Sequence, residues 1–363
     1  MFYRVSSISL LAYTFFLAVV SLESRPRQFA RKHLAVEKAD RHPSFCSGEG
    51  WIQEWADEFS EDSLGSSWST VTTDTGDSSD HSAPVSGLGV TACRTAQCRP
   101  ENVRLRDGKL ILTSERNPGN ASQYYTGAVT TRGLKNWTDD IPYRLCVSAK
   151  LPGGGGGGRG KGVWPAHWML PDNGLSEKCL DEGEVDIMEM INGDGGAYST
   201  YHYLTSWPNF SCGDFNKYHK SRNTLTHVHN FDGDFHEYAI ERSKDHLSYA
   251  IDGRLVHHLP AKHLNIQLSS SPFFLIMNTA IGGAWPGEPS AETEMPCEHA
   301  IDYVRVSRRS DGAEPLSLLS YPVGKAADEL HDVAHSASWA DAWHPSSLLE
   351  TVDHGPPPPM SLS

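Results

Sequence analysis

Gly183-Glu184-Val185-Asp186-Ile187-Met188-Glu189-Met190-Ile191-Asn192-Gly193 is the stretch on which the fold turns. Its β-branched residues favour extended backbone, and Asn-Gly is a strong signal for a type I′ hairpin turn. Alternate side chains of a strand share a face. Glu184 and Asp186 therefore point one way, and Val185 and Ile187 the other. Strict alternation would send Glu189 into the core, where a bare carboxylate is costly. One extra residue at a β-bulge near Ile187-Met188 returns Glu189 to the acidic face. A helix would bring Asp186 and Glu189 together at i, i+3 but turn Glu184 away. The spacing predicts a bulged strand with three carboxylates on one side.

Like charges at strand spacing repel, so the three acids need a reason. Glycoside hydrolysis with retention supplies one. It takes a carboxylate to attack the anomeric carbon and a carboxylic acid to protonate the leaving oxygen, about 5–5.5 Å apart. Asp186, between them, is placed to hydrogen-bond the nucleophile and tune its charge state. The alternatives are a solvated acidic face and a calcium site, for which Asp181, Glu182 and Asp194 offer further oxygens. The EF-hand loop pattern is absent.

Just upstream lies Val163-Trp164-Pro165-Ala166-His167-Trp168-Met169-Leu170-Pro171. Indole faces stack on the apolar faces of sugar rings, and the N–H reaches a hydroxyl; either Trp is equally at home in a core. Trp285 sits in a Gly/Pro loop, Gly282–Gly287, where a large aromatic has a binding role or packs locally. His202, in Thr200-Tyr201-His202-Tyr203, falls where a strand would pair with the acidic one. There it would meet the acid/base or the leaving sugar; a core histidine is the alternative.

The same texture extends from Trp51 to Arg305. Asn102–Leu105 and Lys109–Thr113 flank an Asp-Gly turn, and His236–Glu241, Leu247–Ile251 and Arg254–His258 form a meander. Phe273–Ala280 and Ile301–Val306 are apolar runs of strand length. No convincing helix interrupts them. Many short strands with turn signals indicate a β-sandwich or barrel. The hexaglycine run Gly153–Gly158 has no phosphate-loop spacing and is expected to be a mobile loop.

The ends of the chain carry the address. Arg4 precedes the apolar stretch Ile8–Val20, too short to span a bilayer comfortably, which reads as a secretory signal peptide over residues 1–24. A retained signal anchor is the alternative. Sequons at Asn120, Asn136 and Asn209 agree with secretion. Seven cysteines allow at most three internal disulfides, and Cys93 and Cys98 are close enough to close a small loop. The 31 basic and 45 acidic side chains leave a net charge of −14, which repels phosphate backbones and disfavours nucleic acid as a partner. A neutral sugar meets no such repulsion. Residues 25–49 read as a flexible or pro-segment, and 309–363, with the run Pro356–Pro359, as a mostly disordered tail.

Glu184-Val-Asp-Ile-Met-Glu189 resembles the E-x-D-x-x-E signature of glycoside hydrolase family 16 in its bulged, laminarinase-like form. Trp55-Ala-Asp-Glu-Phe59, Glu101–Leu110, Gly162–Pro171, Thr200–Tyr203, Phe235–Ala239, Tyr249–Val256, Pro272–Gly287 and Asp302–Val306 follow in the family's order. The resemblance implies a catalytic domain over residues 50–308, all-β, a jelly-roll β-sandwich with a concave substrate cleft. It implies retaining endo-hydrolysis of β-glucan, most often β-1,3-linked, with Glu184 as nucleophile, Glu189 as acid/base and Asp186 assisting. Trp164, Trp168, His202 and Asn102 fall where the family places sugar contacts. No cofactor is required; some members carry a structural calcium on the convex side, for which Asp302 is the candidate ligand here. The expected partner is β-glucan, with a secreted monomer and no membrane attachment once the signal is removed. Ala128, Ala284, Arg242 and the hexaglycine loop depart from the family's usual residues and leave linkage preference open. The competing functions are a non-catalytic glucan-recognition protein, although such members typically lack the acids present here, and a hydrolase or transglycosylase acting on another β-linked polysaccharide such as mixed-linkage glucan or agarose. The unbulged form typical of plant transglycosylases lacks the residue that Met188 supplies.

Overall fold

Alternating runs become strands nearly everywhere they were expected. The computed structural model describes residues 43–73, 92–172, 182–205, 219–264 and 268–310. The signal-peptide region, most of the lead segment, the tail after 310, Asn209, Asp181, Cys179 and Cys212 lie outside the described residues. The strands form two sheets, antiparallel except where Gln97–Cys98 pairs in parallel with Asn120–Thr126. One has seven strands in the order His219–His227, Gly196–Leu204, Glu184–Glu189, Val163–Pro171, Phe273–Ile281, Ala128–Thr130, Ser69–Thr70. The other has ten, centred on Tyr143–Lys150 and Cys297–Arg309. It includes the expected meander, His236–Arg242, His246–Ile251 and Arg254–Pro260, and the expected hairpin, Val103–Leu105 with Leu110–Asn117. Helix is confined, among the described residues, to short turns such as Ala261–Leu264. None is long and apolar enough to cross a membrane.

The two sheets stack as a sandwich because each offers one apolar face. Met169, Val185, Ile187, Met188, Leu275 and Met277 of the seven-stranded sheet meet Leu110, Leu145, Val147, Ile240, Tyr249 and Val304 of the other in one buried cluster. Each such aliphatic side chain contributes roughly 1.5–3 kcal/mol on burial. The opposite face of the seven-stranded sheet carries a second cluster, with Trp164, Ala166, Trp168, Phe274 and Ile276 roofed by Ala92 and Cys93.

Two sequence expectations change here. Residues 43–49, assigned to the flexible lead, are part of the sandwich: Cys46 is bonded to Cys146, Phe45 is buried, and the Phe45 N–H donates to Glu237 at 2.6 Å. The reason is a buried cation. Arg144 donates to Glu241 at 2.8 Å and to the Phe45 carbonyl at 2.8 Å, with its guanidinium against the Phe45 and Trp51 rings. At the other end the last strand runs through Arg309, and Ser310 donates to the Gly50 carbonyl. The hexaglycine loop is exposed over residues 155–158 and packed at its start. It packs on the acid-strand hairpin so closely that a Cβ on Gly193 would lie 1.7 Å from the Gly153 carbonyl oxygen.

Removing Arg144 strands the buried Glu241 carboxylate, which also contacts His246 Nε2 at 3.0 Å. Arg144→Met is expected to destabilise the protein by about 3–5 kcal/mol, the usual cost of breaking a buried pair from one side. Urea unfolding checks this; a loss under about 1 kcal/mol would show that the clamp adds little.

Candidate active site

The acid strand, Glu184–Glu189, is flanked by Gly196–Leu204 and Val163–Pro171. Glu184 lies opposite His202, Asp186 opposite Thr200, and Glu189 opposite Tyr198. Residues 202, 200 and 198 share one face of their regular strand, so all three acids lie on one face too. The register slips by one residue between Asp186 and Glu189. The bulge thus stands where Glu189 required it. Its consequence is visible in the core, where the consecutive Ile187 and Met188 both point inward. Ser199 Oγ donates to the Ile187 carbonyl at 3.1 Å and satisfies a backbone group the bulge leaves over. The strand ends in the turn read from Asn192-Gly193, with both φ angles near +60° and Asp194 N–H bonded to the Ile191 carbonyl.

All three carboxyl groups are shut off from solvent. Burial pushes Glu189 well above the usual carboxylate range, and the neighbouring Asp186 and Glu184 add to the shift. The Trp164 N–H, which donates to Glu189 Oε1 at 3.1 Å, and the Arg94 guanidinium oppose it. Burial raises Asp186 as well. His202, pushed down to about 3 by burial, is neutral at ordinary pH. Its Nε2 lies 3.3 Å from Asp186 Oδ2 and its Nδ1 2.7 Å from Ser221 Oγ. Seryl, imidazole and carboxyl groups form one line ending at the acids. The arrangement suits a protonated carboxyl group that gives up its proton to a bound ligand.

The other expected residues are placed as follows. Trp164 and Trp168 stand on the acid face, both buried and both with N–H groups engaged, by Glu189 and by Asn278 Oδ1 at 2.7 Å. They form the wall of the site and offer no free N–H to a sugar. Trp285 is half-buried, packs edge-on against Trp164 and Tyr198 at 5.1 and 5.0 Å, and its Nε1 meets no acceptor among the described residues. His202 meets Asp186 and not the expected acid/base. Asn102 is not brought to the acids by any hydrogen bond: its amide donates to the Thr113 carbonyl and to Glu115. Asn120 and Asn136 are exposed, and the Asn136 amide donates to Asp172 at 2.8 Å.

Tyr198, Ser221 and Arg94 were missed. Tyr198 and Ser221 carry no sequence signal beyond strand register, and Arg94 none beyond its place between Cys93 and Cys98. A cavity of about 520 Å³ opens elsewhere, beside Gly153, Lys109 and Cys297, and is lined by none of the acids.

Asp302 belongs to no cluster of three metal-capable side chains among the described residues. Its carboxylate lies 3.8 Å from the Lys109 ammonium, whereas calcium takes six to eight oxygens. Among the described residues the one cluster of three metal-capable side chains is Glu184, Asp186 and His202.

The family model "Glycosyl hydrolases family 16" matches residues 146–305. The β-glucanase of Rhodothermus marinus is 33% identical over 223 residues, 58% of this chain and 72% of that protein. The glucan endo-1,3-β-glucosidase A1 of Niallia circulans is 30% identical over 277 residues, 69% of this chain but 37% of that protein. Among solved structures, the laminarinase catalytic domain of Thermotoga maritima MSB8 superposes with a TM-score of 0.57 at 28% identity, covering 72% of this chain and 99% of that domain.

Proposed function

The chain belongs to glycoside hydrolase family 16, and from that premise we propose that it is a secreted, retaining endo-β-glucanase cleaving β-1,3-linked, laminarin-type glucan. The observation that carries the reading is the bulge, which sets Glu184, Asp186 and a Glu189 with raised proton affinity on one face. In the first displacement Glu189 donates its proton to the glycosidic oxygen. The Glu184 carboxylate attacks the anomeric carbon as that bond breaks. The departing sugar leaves as an alcohol, and a covalent glycosyl-enzyme remains. In the second, Glu189, now a base, takes a proton from water, whose oxygen displaces Glu184 from the same carbon. Two inversions give net retention. Carboxyl groups supply both the proton and the nucleophile, so the scheme calls for no cofactor.

Burial raises the proton affinity of Asp186, which works against a further full negative charge beside Glu184. The name of the Rhodothermus marinus relative supports a β-glucan as substrate, and that of the Niallia circulans relative supports β-1,3 linkages. The two disulfides, the sequons and the apolar leader support secretion. A monomer, free of the membrane after the leader is removed, completes the proposal.

Product analysis tests it. The purified chain is expected to release reducing oligosaccharides from laminarin faster than from mixed-linkage glucan, agarose or xyloglucan, with the β-anomer first in the proton NMR spectrum. An initial α-anomer would refute the double displacement. Affinity for laminarin without any cleavage would make the protein a glucan-recognition module, and longer products from added acceptors a transglycosylase. Faster release from agarose would replace the substrate.

A further inference from the structure

Arg94 reaches the acid face from outside the sheet, on the tight loop closed by the Cys93–Cys98 disulfide. The loop is anchored to the end of the Phe273–Ile281 strand. The Thr95 N–H and Oγ1 donate to the Ile281 carbonyl at 3.0 and 2.7 Å, and the Ala96 N–H closes back on Cys93 at 3.0 Å. Arg94 itself has φ = +55°, a region few non-glycine residues occupy. That backbone directs its side chain over Trp164, with Cζ 5.2 Å from the ring centroid, where attraction to the indole face holds it. Its Nε is buried and meets no acceptor among the described residues. The same is true of Trp285 Nε1, which sits against the same Trp164 ring. Two orphaned donors therefore flank the indole whose own N–H is bound to Glu189. A buried donor without an acceptor is costly and calls for a partner.

We propose that Arg94 is a substrate-binding residue, its guanidinium donating to hydroxyl oxygens of the sugar unit bound beside Glu189, with the Trp285 N–H as a second donor. Glu184 and Glu189 are near enough to act on the Arg94 charge. Their field disfavours a sulfated or carboxylated sugar, so the ligand that fits is a neutral one rich in acceptor oxygens. This rests on the proposed function and deepens it: the subsite next to the scissile bond is completed by a disulfide-clamped loop.

Calorimetric titration of laminarihexaose into full-length Glu184→Gln, with and without Arg94→Met, tests the assignment. The added substitution is expected to weaken binding about 10- to 100-fold, the range for a hydrogen bond to a charged group. In the otherwise native enzyme, Arg94→Met is expected to move both limbs of the kcat/KM pH profile upward. The positive charge that favours both carboxylates has gone. Arg94→Lys is expected to leave that profile in place and still bind more weakly, because lysine lacks the Nε–H. Unchanged affinity in both variants overturns the proposal, and if Arg94→Met fails to fold, full affinity in Arg94→Lys does so alone. A purely structural Arg94 would lower the melting temperature while leaving Kd and the pH profile untouched. Absence of binding by Glu184→Gln itself would instead refute laminarin-type glucan as the substrate.

Discussion

Glu184→Gln is expected to lower laminarin hydrolysis by on the order of 10⁴-fold or more, the scale seen when a covalent nucleophile is removed. The change is nearly isosteric and replaces a buried carboxyl group by a neutral amide. The fold and the sugar-binding face should therefore survive. What disappears is the group proposed to form the glycosyl-enzyme. A reducing-sugar assay measures the loss and calorimetry with laminarihexaose the retained affinity. Full activity in this variant would move the nucleophile elsewhere on the face, Asp186 being the next candidate. Because Gln can deamidate back to Glu, Glu184→Ala measured alongside distinguishes residual chemistry from reversion.

Glu189→Gln should cost about 10²- to 10⁴-fold on laminarin, the range for general acid–base catalysis. Its signature differs from that of Glu184. A substrate with a dinitrophenolate leaving group needs no proton, so its first step should be nearly as fast in the variant as in the native enzyme. Stopped-flow traces should then show a burst followed by slow turnover. Loss of the burst would mean that Glu189 is not the proton donor.

The pH dependence follows from the same residue. The native kcat/KM profile should fall on its basic side as Glu189 loses its proton. Burial and two neighbouring carboxyl groups raise that proton affinity. The fall therefore lies above the ordinary carboxylate range, and the variant should lack it. Stability should also fall as pH rises, starting from the lower end of that range. Folded Glu189 keeps its proton at pH values where an unfolded glutamate, with a pKa of about 4.3, has lost it. As pH rises through that window the unfolded state gains relative to the folded one. Glu189→Gln removes the penalty and should raise the melting temperature at neutral pH while leaving it little changed near pH 3.

Much of this site was legible in one strand. Glu184, Asp186 and the two apolar residues between and after them obey simple alternation, and the cost of burying Glu189 alone demanded a bulge. Asn192-Gly193 announced the turn through the left-handed backbone both residues adopt. The meander and the Val103–Asn117 hairpin were read from period-two patterns and Asp-Gly turns in the same way. Harder to see were the partners. His202, expected to meet the acid/base or the leaving sugar, meets Asp186, because strand pairing sets it opposite Glu184, one same-face position along. Asn102, expected as a sugar contact, has its amide nitrogen held by the Thr113 carbonyl and Glu115, partners that strand spacing does not reveal. Residues 43–49 looked like a loose lead and are clamped by Arg144, Glu237 and a disulfide between cysteines 100 residues apart in sequence.

By itself the sequence determined the strands, the bulge and the sidedness of the three acids, because side-chain alternation and turn conformation depend on neighbours a few residues away. Only the tertiary structure decided that Glu189 holds its proton strongly, that His202 is neutral, and that Arg94 and Trp285 aim unpaired donors beside Trp164. Proton affinity and hydrogen-bond satisfaction depend on which distant groups exclude water from an atom, and that is a property of packing in space rather than of spacing along the chain.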